Sequence, residues 1–126
     1  MLNMINPAGY PKPQFYSQGV EATGAKRMLF VSGQVGVDAS GNVGSDIGEQ
    51  AEIASANLSA VLAEAGMDNS NIAKVTIYLT DAAHMQGFME AAAGTLPSPP
   101  PATTLLIVKA LASPALLVEI EAIAIA

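Results

Sequence analysis

The segment LLVEIEAIAIA, residues 116–126, is apolar except for Glu119 and Glu121, which stand two positions apart in its middle. Read as a strand, it sends alternate side chains to opposite faces, so Glu119 and Glu121 share a face with Leu117, Ile123 and Ile125. Holding ionised carboxylates out of water without partners costs several kcal/mol or more. The pair therefore predicts a wet cleft, a cationic partner or an interface along that face, with the opposite face left for a core.

Working outward, Ala102–Leu111 reads as the strand before this one. Ile72–Leu79 alternates, with Ala73, Val75, Ile77 and Leu79 against Lys74, Thr76 and Tyr78. Between Asp46 and Gly66 the residues Ile47, Ala51, Ala54, Leu58, Val61, Leu62 and Ala65 recur at helical spacing. Asp46 followed by Glu49 suits the start of that helix, and Gly66 suits its end. Asp81 caps a shorter helix bearing Met85, Phe88, Met89 and Ala92, weakened by Gly87. Phe15–Ala22 and Met28–Gln34 read as a hairpin turning through Thr23–Lys26, and Asp38–Asn42 reads as a second turn. Leu96–Pro101 (LPSPPP) is expected to be an extended loop, since successive prolines neither continue a helix nor donate to a ladder. Two helices among several strands, without repeats or a linker, predict one α+β domain over residues 1–126. In it, helices cover one face of a single mixed sheet. The uncovered face then calls for a second copy of the chain.

Composition agrees. Only 13% of the 126 residues are charged and 51% are hydrophobic, a poor match for a solitary globule and a good one for an oligomer. The net charge of -6 and five scattered cations argue against nucleic-acid binding through phosphate neutralisation. With no cysteine there is no disulfide, thiol nucleophile or thiolate metal site. No apolar run approaches a bilayer span and Met1–Tyr10 lacks the pattern of a secretory leader, so a cytoplasmic protein without membrane association is expected.

Catalytic side chains are few. His84 is the sole histidine, which rules out a site built on paired imidazoles, and no Gly-x-Ser-x-Gly elbow supports a triad around it. Gly33, Gly36, Gly41 and Gly44 lack the lysine and hydroxyl of a phosphate loop and read as turn residues. No metal or cofactor is expected. Glu119 and Glu121 remain, and a carboxylate at a cleft edge can activate water without a metal. Pairing with a lysine or a backbone amide is the structural alternative for either residue.

YSQGV (16–20), SGQ (32–34), the helix end AEAGM (63–67), KVTIYLTD (74–81), PATT (101–104) and the terminal VEIEAIA (118–124) together resemble the Rid family of reactive intermediate deaminases, also called YjgF-like or L-PSP proteins. The resemblance runs from about Pro13 to Ala126, and the IEAIA and SGQ segments are its most specific parts. It implies a chorismate-mutase-like two-layer fold, three copies forming a central barrel, and ligand clefts between neighbours. The implied reaction is hydrolysis of an enamine or imine to a 2-keto acid and ammonia, with an arginine clamping the substrate carboxylate and a glutamate positioning water.

Carried over by position, the resemblance gives the glutamate role to Glu119, the cleft tyrosine to Tyr16, and a ligand-facing loop to Ser32 and Gly33. Where the family pattern has proline, alanine, arginine, then serine or threonine, this chain reads Pro101, Ala102, Thr103, Thr104. The loop before it is shorter and proline-rich. Losing one charge-assisted bond to a carboxylate costs about 1.5 to 3 kcal/mol, so a less anionic substrate is expected, hydrogen-bonded by Thr103 or Thr104. Two readings follow: a Rid-type hydrolase or deaminase acting through Glu119, and a homotrimer that binds a small ligand without turning it over. RNA cleavage, the activity in the older family name, conflicts with the acidic charge.

Overall fold

In the computed structural model, residues 1–95 and 97–126 are described. The strands are β1 (Leu2–Ile5), β2 (Gly19–Ala22), β3 (Met28–Val35), β4 (Ile72–Leu79), β5 (Ala102–Ile107) and β6 (Val118–Ile125), and the helices are α1 (Ile47–Glu64) and α2 (Met85–Ala92). Four strands form the main sheet in the order β3-β6-β4-β5. β6 runs antiparallel to both its neighbours, while β4 and β5 are parallel, so the sheet is mixed. The α+β architecture expected from the sequence is the one observed, with both helices on one side.

α1 begins where Asp46 accepts a hydrogen bond from the Glu49 amide at 2.8 Å. Glu49 does not complete a capping box, because its carboxylate accepts from the Ser45 hydroxyl instead. At the other end Gly66 takes φ +69, the left-handed conformation open to glycine, and the Gly66 and Met67 amides return to the Ala63 and Leu62 carbonyls. Ala51, Ala54, Leu58 and Leu62 of α1 are buried with Val31, Val118, Ile120, Ala122 and Ala124 of the sheet. Phe88 and Ala92 of α2 extend this core. Small residues on both α1 and β6 let helix and sheet approach closely, where dispersion contacts are densest.

The expected hairpin between Phe15–Ala22 and Met28–Gln34 does not form. Only Gly19–Ala22 is strand, and its antiparallel partner is β1, with Leu2 opposite Ala22 and Ile5 opposite Gly19. The N-terminal residues supply the ladder that the sequence reading assigned to β3. The turn at Thr23–Lys26 redirects the chain instead: the Lys26 and Arg27 amides both donate to the Ala126 carbonyl at 2.8 Å, which sets β3 beside β6. Pro97–Pro101 carries neither helix nor strand, as expected, while Leu96 of that loop lies outside the described residues. The last two strands are also shorter than read, ending or beginning around a bend at residues 108–117.

The sheet face away from the helices carries Met28 and Phe30, 58% and 69% exposed, with Lys74, Thr76, Tyr78, Thr104, Leu106 and Ile123. The chain exposes 7193 Å2, against about 6300 Å2 for a compact monomer of this mass. That open face is where the composition placed its apolar excess.

Gln50 interrupts the apolar stripe of α1 and is 1% exposed. Its amide donates to the Gly44 carbonyl at 3.0 Å and the Ala115 carbonyl at 2.9 Å, and its oxygen accepts from the Leu117 amide at 2.8 Å. One side chain thus ties the loop after β3 and the entry to β6 onto α1. Gly36 and Gly44 lie against it, and a Cβ on Gly44 would stand 2.8 Å from Gln50 Cγ. Replacing Gln50 with Leu leaves three backbone groups, one buried and two partly buried, without this partner. We expect a loss of about 3 kcal/mol in unfolding free energy, read from the urea midpoint at unchanged m-value.

Candidate functional site

The side chains singled out from the sequence fall on two faces of the sheet. Strand pairing decides this. Glu119 is opposite Tyr78 and Val35, and Glu121 is opposite Thr76, so both carboxylates lie on the open face. Thr103 is opposite Val75, which is opposite Ala122, so Thr103 lies on the helix side. Thr104, opposite Thr76, returns to the open face. Glu119 and Thr103 are therefore separated by the sheet within one chain.

On the open face, Gly33 and Glu119 are in intimate contact. A Cβ at Gly33 would stand 2.6 Å from Glu119 Cδ and closer still to Oε2, so only glycine leaves room for the carboxylate there. The backbone angles at Gly33 do not require glycine; the space does. This close approach sits at a register shift between Val31 and Gln34, where Ser32 and Gly33 together stand against one residue of β6, Glu121. Ser32 is exposed beside it. Of the four glycines read as turn residues, only Gly41 has a positive φ; Gly33, Gly36 and Gly44 instead permit close packing.

Glu121 accepts a hydrogen bond from the Tyr78 hydroxyl. That bond, then partial burial, then the negative charges of Glu121 and Glu119, hold the Tyr78 phenol above its ordinary range. On the same face Lys74 Nζ donates to Thr104 Oγ1 at 2.6 Å, which engages Thr104 within its own chain. Arg27 is engaged elsewhere, donating to the Ala65 carbonyl at 2.7 Å at the end of α1. His84 closes the single turn before α2 and does not line the cavity between the helices and the sheet. Among the described residues, no three His, Cys, Asp or Glu side chains gather as a metal site would need.

On the helix side, Tyr16 and Thr103 stand together at a cavity of about 270 Å3 between the helices and the β4-β5 half of the sheet. Its inner wall is Leu58, Ile72, Val75, Ile77, Phe88 and Ile120, and its outer wall includes Phe15, Pro97, Pro101 and Leu105. Ser17 places Tyr16 there. It is 2% exposed, its hydroxyl donates to the Pro100 carbonyl at 2.6 Å, and its amide donates to the Pro101 carbonyl at 3.0 Å. Thr103 Oγ1 donates back to the Pro101 carbonyl at 3.1 Å.

Ser17, Gln50 and Tyr78 were not among the residues the sequence singled out. Gln50 does leave a signal, a polar residue on the apolar face of α1. Tyr78 leaves a weaker one, sharing its strand face with Lys74 and Thr76. Ser17 leaves none, because its partners are backbone carbonyls of a distant loop.

The family model described as endoribonuclease L-PSP matches residues 11–126. A RutC family protein of Aquifex aeolicus is 45% identical over 67 residues, and a mouse 2-iminobutanoate/2-iminopropanoate deaminase is 40% identical over 68. Each of those matches takes in 52% of this chain and about half of the relative, 51% and 48% respectively. A Rid-family protein of unknown function from Yersinia pestis, YyfB, superposes with a TM-score of 0.88 at 32% identity, covering 99% of this chain and 98% of its own. TdcF of Escherichia coli, solved with bound serine, superposes with a TM-score of 0.73 at 28% identity and 98% coverage of both chains.

The Gly33–Glu119 contact can be tested by a double-mutant cycle. Gly33→Ala alone forces the carboxylate aside, whereas in a Glu119→Ala background the colliding atoms are gone. We expect a coupling of about 1 kcal/mol in unfolding free energy. Additive effects of the two substitutions would mean that the glycine does not hold the place of the carboxylate.

Proposed function

The chain belongs to the endoribonuclease L-PSP family, that of the Rid proteins, and from that membership we propose that it is a small-molecule hydrolase of the deaminase type, working as a homotrimer. The observation that carries this reading is the close seat of Glu119 on Gly33, in the two segments that most resemble the family. Deaminase-named relatives and a serine-bound neighbour support a small ligand as its partner.

Each chain supplies two half-sites on opposite faces of its sheet. One half is Glu119 with Ser32 and Gly33; the other is Tyr16 with Thr103. Bringing them together takes two copies, with the open face of one chain's sheet against the edge of the next. The exposed Met28 and Phe30 supply apolar area for that contact. No cofactor takes part.

Glu119 acts as general base. It accepts a proton from water as the oxygen attacks the imine carbon, forming the C–O bond while the C=N electron pair moves to nitrogen, and it returns that proton to the nitrogen to give a neutral carbinolamine. It then takes the carbinolamine's hydroxyl proton as the carbonyl forms and the C–N bond breaks, and passes it to the departing nitrogen, which leaves as ammonia. Thr103 and Tyr16 offer hydroxyl groups to the substrate but no fixed positive charge, so the substrate is less anionic than an imino acid held by arginine. Thr104, on the open face, accepts a hydrogen bond from Lys74 and keeps its own hydroxyl donor for a ligand on that face. Thr103, standing where the family pattern has arginine, favours the second reading, a trimer that binds the ligand without turnover.

Purified protein should speed hydrolysis of a neutral imine, such as that of acetone, more than that of 2-iminopropanoate, and Glu119→Gln should lower kcat by roughly 10²- to 10⁴-fold with the fold intact. Ligand binding without any acceleration would instead favour the non-catalytic trimer. Thr103→Arg should tighten 2-keto acid binding by about ten- to hundredfold in calorimetry, and unchanged affinity would mean that Thr103 is not at the clamp position. Light scattering should return three chain masses, and Phe30→Glu should yield folded monomers without activity.

A further inference from the structure

The cavity beneath Tyr16 and Thr103 is not accounted for by the chemistry at Glu119. It reaches inward from those two residues between α2 and the β4-β5 pair, to walls of Val75, Ile77, Phe88 and Ile120. Its volume of about 270 Å3 is well above the roughly 150 Å3 that suffices for benzene in an apolar protein cavity.

Water gains little there. The Thr103 hydroxyl already donates to the Pro101 carbonyl, the Thr95 hydroxyl donates to the Ala92 carbonyl, and the Asn69 amide donates to the Thr95 carbonyl. A water needs two to four polar partners to be held well, and the inner wall of Val75, Ile77, Phe88 and Ile120 offers it none. No Lys or Arg lines the cavity among the described residues, so a carboxylate entering it would lose hydration without an ionic partner. The wall accepts hydrocarbon and rejects charge.

We propose that this cavity is the subsite for the substrate's side chain, and that the substrate is a neutral imine or enamine carrying an aromatic or branched aliphatic group. The polar, reacting end sits at the mouth between the Tyr16 and Thr103 hydroxyls, and the apolar group fills the space against Phe88 and Ile77. This rests on the hydrolase reading for the reacting end, but the apolar subsite is a property of one chain. Ala92 sets the size of the subsite, since it lines the wall, is 7% exposed and carries the smallest side chain that still faces inward from α2.

Calorimetry with phenylacetone, acetone and phenylpyruvate tests it without any turnover. Phenylacetone should bind at least about tenfold more tightly than acetone, as burial of a phenyl group dictates, and no more weakly than phenylpyruvate. Ala92→Phe should remove that tenfold preference while the protein remains folded by circular dichroism. If Ala92→Phe does not fold, Leu105→Trp, placed on the half-buried outer wall, should do the same. Equal affinity for phenylacetone and acetone, or an unchanged preference in the folded variant, overturns the subsite. Phenylpyruvate binding tenfold better than phenylacetone overturns the neutral ligand. Hydrolysis is scored separately: phenylacetone binding blocked by Ala92→Phe, without hydrolysis of any imine, upholds the subsite and overturns the hydrolase. Equal hydrolysis of the imines of acetone and phenylacetone, unaffected by Ala92→Phe, does the reverse.

Discussion

β6 is the strand on which the rest of the molecule depends, because it must serve two incompatible surroundings at once. It is bonded on both edges, by β3 and β4, and so lies inside the sheet. Toward the helices it presents Val118, Ile120, Ala122 and Ala124, all buried. Toward the open face it presents Glu119 and Glu121. A slip of one residue would exchange these sets and drive two carboxylates under α1, at several kcal/mol or more for each. No other register is tolerable, and the register then fixes every neighbour. Tyr78 falls opposite Glu119, within reach of Glu121, and Gly33 falls beneath Glu119.

The parity of β6, the span of α1 and the alternation of Ile72–Leu79 were legible in the sequence because each repeats a short-range period over many residues. The chemistry of the open face was legible for the same reason, since two glutamates at a spacing of two define a face without knowledge of the partner strand. The pairing of Gly19–Ala22 was not. Leu2–Ile5 is short, carries Asn3 in its middle, and competes with Met28–Val35 as a partner on equal local terms. Contacts between Met1 and Thr23 and between Ala126 and Lys26 decide the outcome, and they join chain ends that no local pattern relates.

The candidate site could be marked residue by residue but not as an arrangement. Tyr16, Ser32, Gly33, Thr103 and Glu119 could each be marked, yet parity alone does not say which face Thr103 shares with which strand. That follows only from the parallel register of β5 on β4, set beyond the proline-rich loop and latched by Ser17. Glycines are the sharper lesson. Gly33 and Gly41 look alike in sequence, but one is needed for the space it leaves and the other for its backbone angle.

The division of the marked residues between two faces bears on why a threonine is tolerable at position 103. On the proposed reading, an arginine there would meet a substrate carboxylate while the neighbouring chain's Glu119 approached the same ligand from the other side. The cation would then offset both negative charges in a cleft of a protein that already carries a net charge of -6. Without it, a carboxylate ligand would face Glu119 with no compensation, and like charges at short range in a partly dry cleft repel strongly. A neutral ligand removes that repulsion at its source. On that reading, a threonine in place of a cation at position 103 and the apolar wall behind it point in one direction, since a cavity without charged lining and a cleft without a cation would select the same uncharged, apolar molecule.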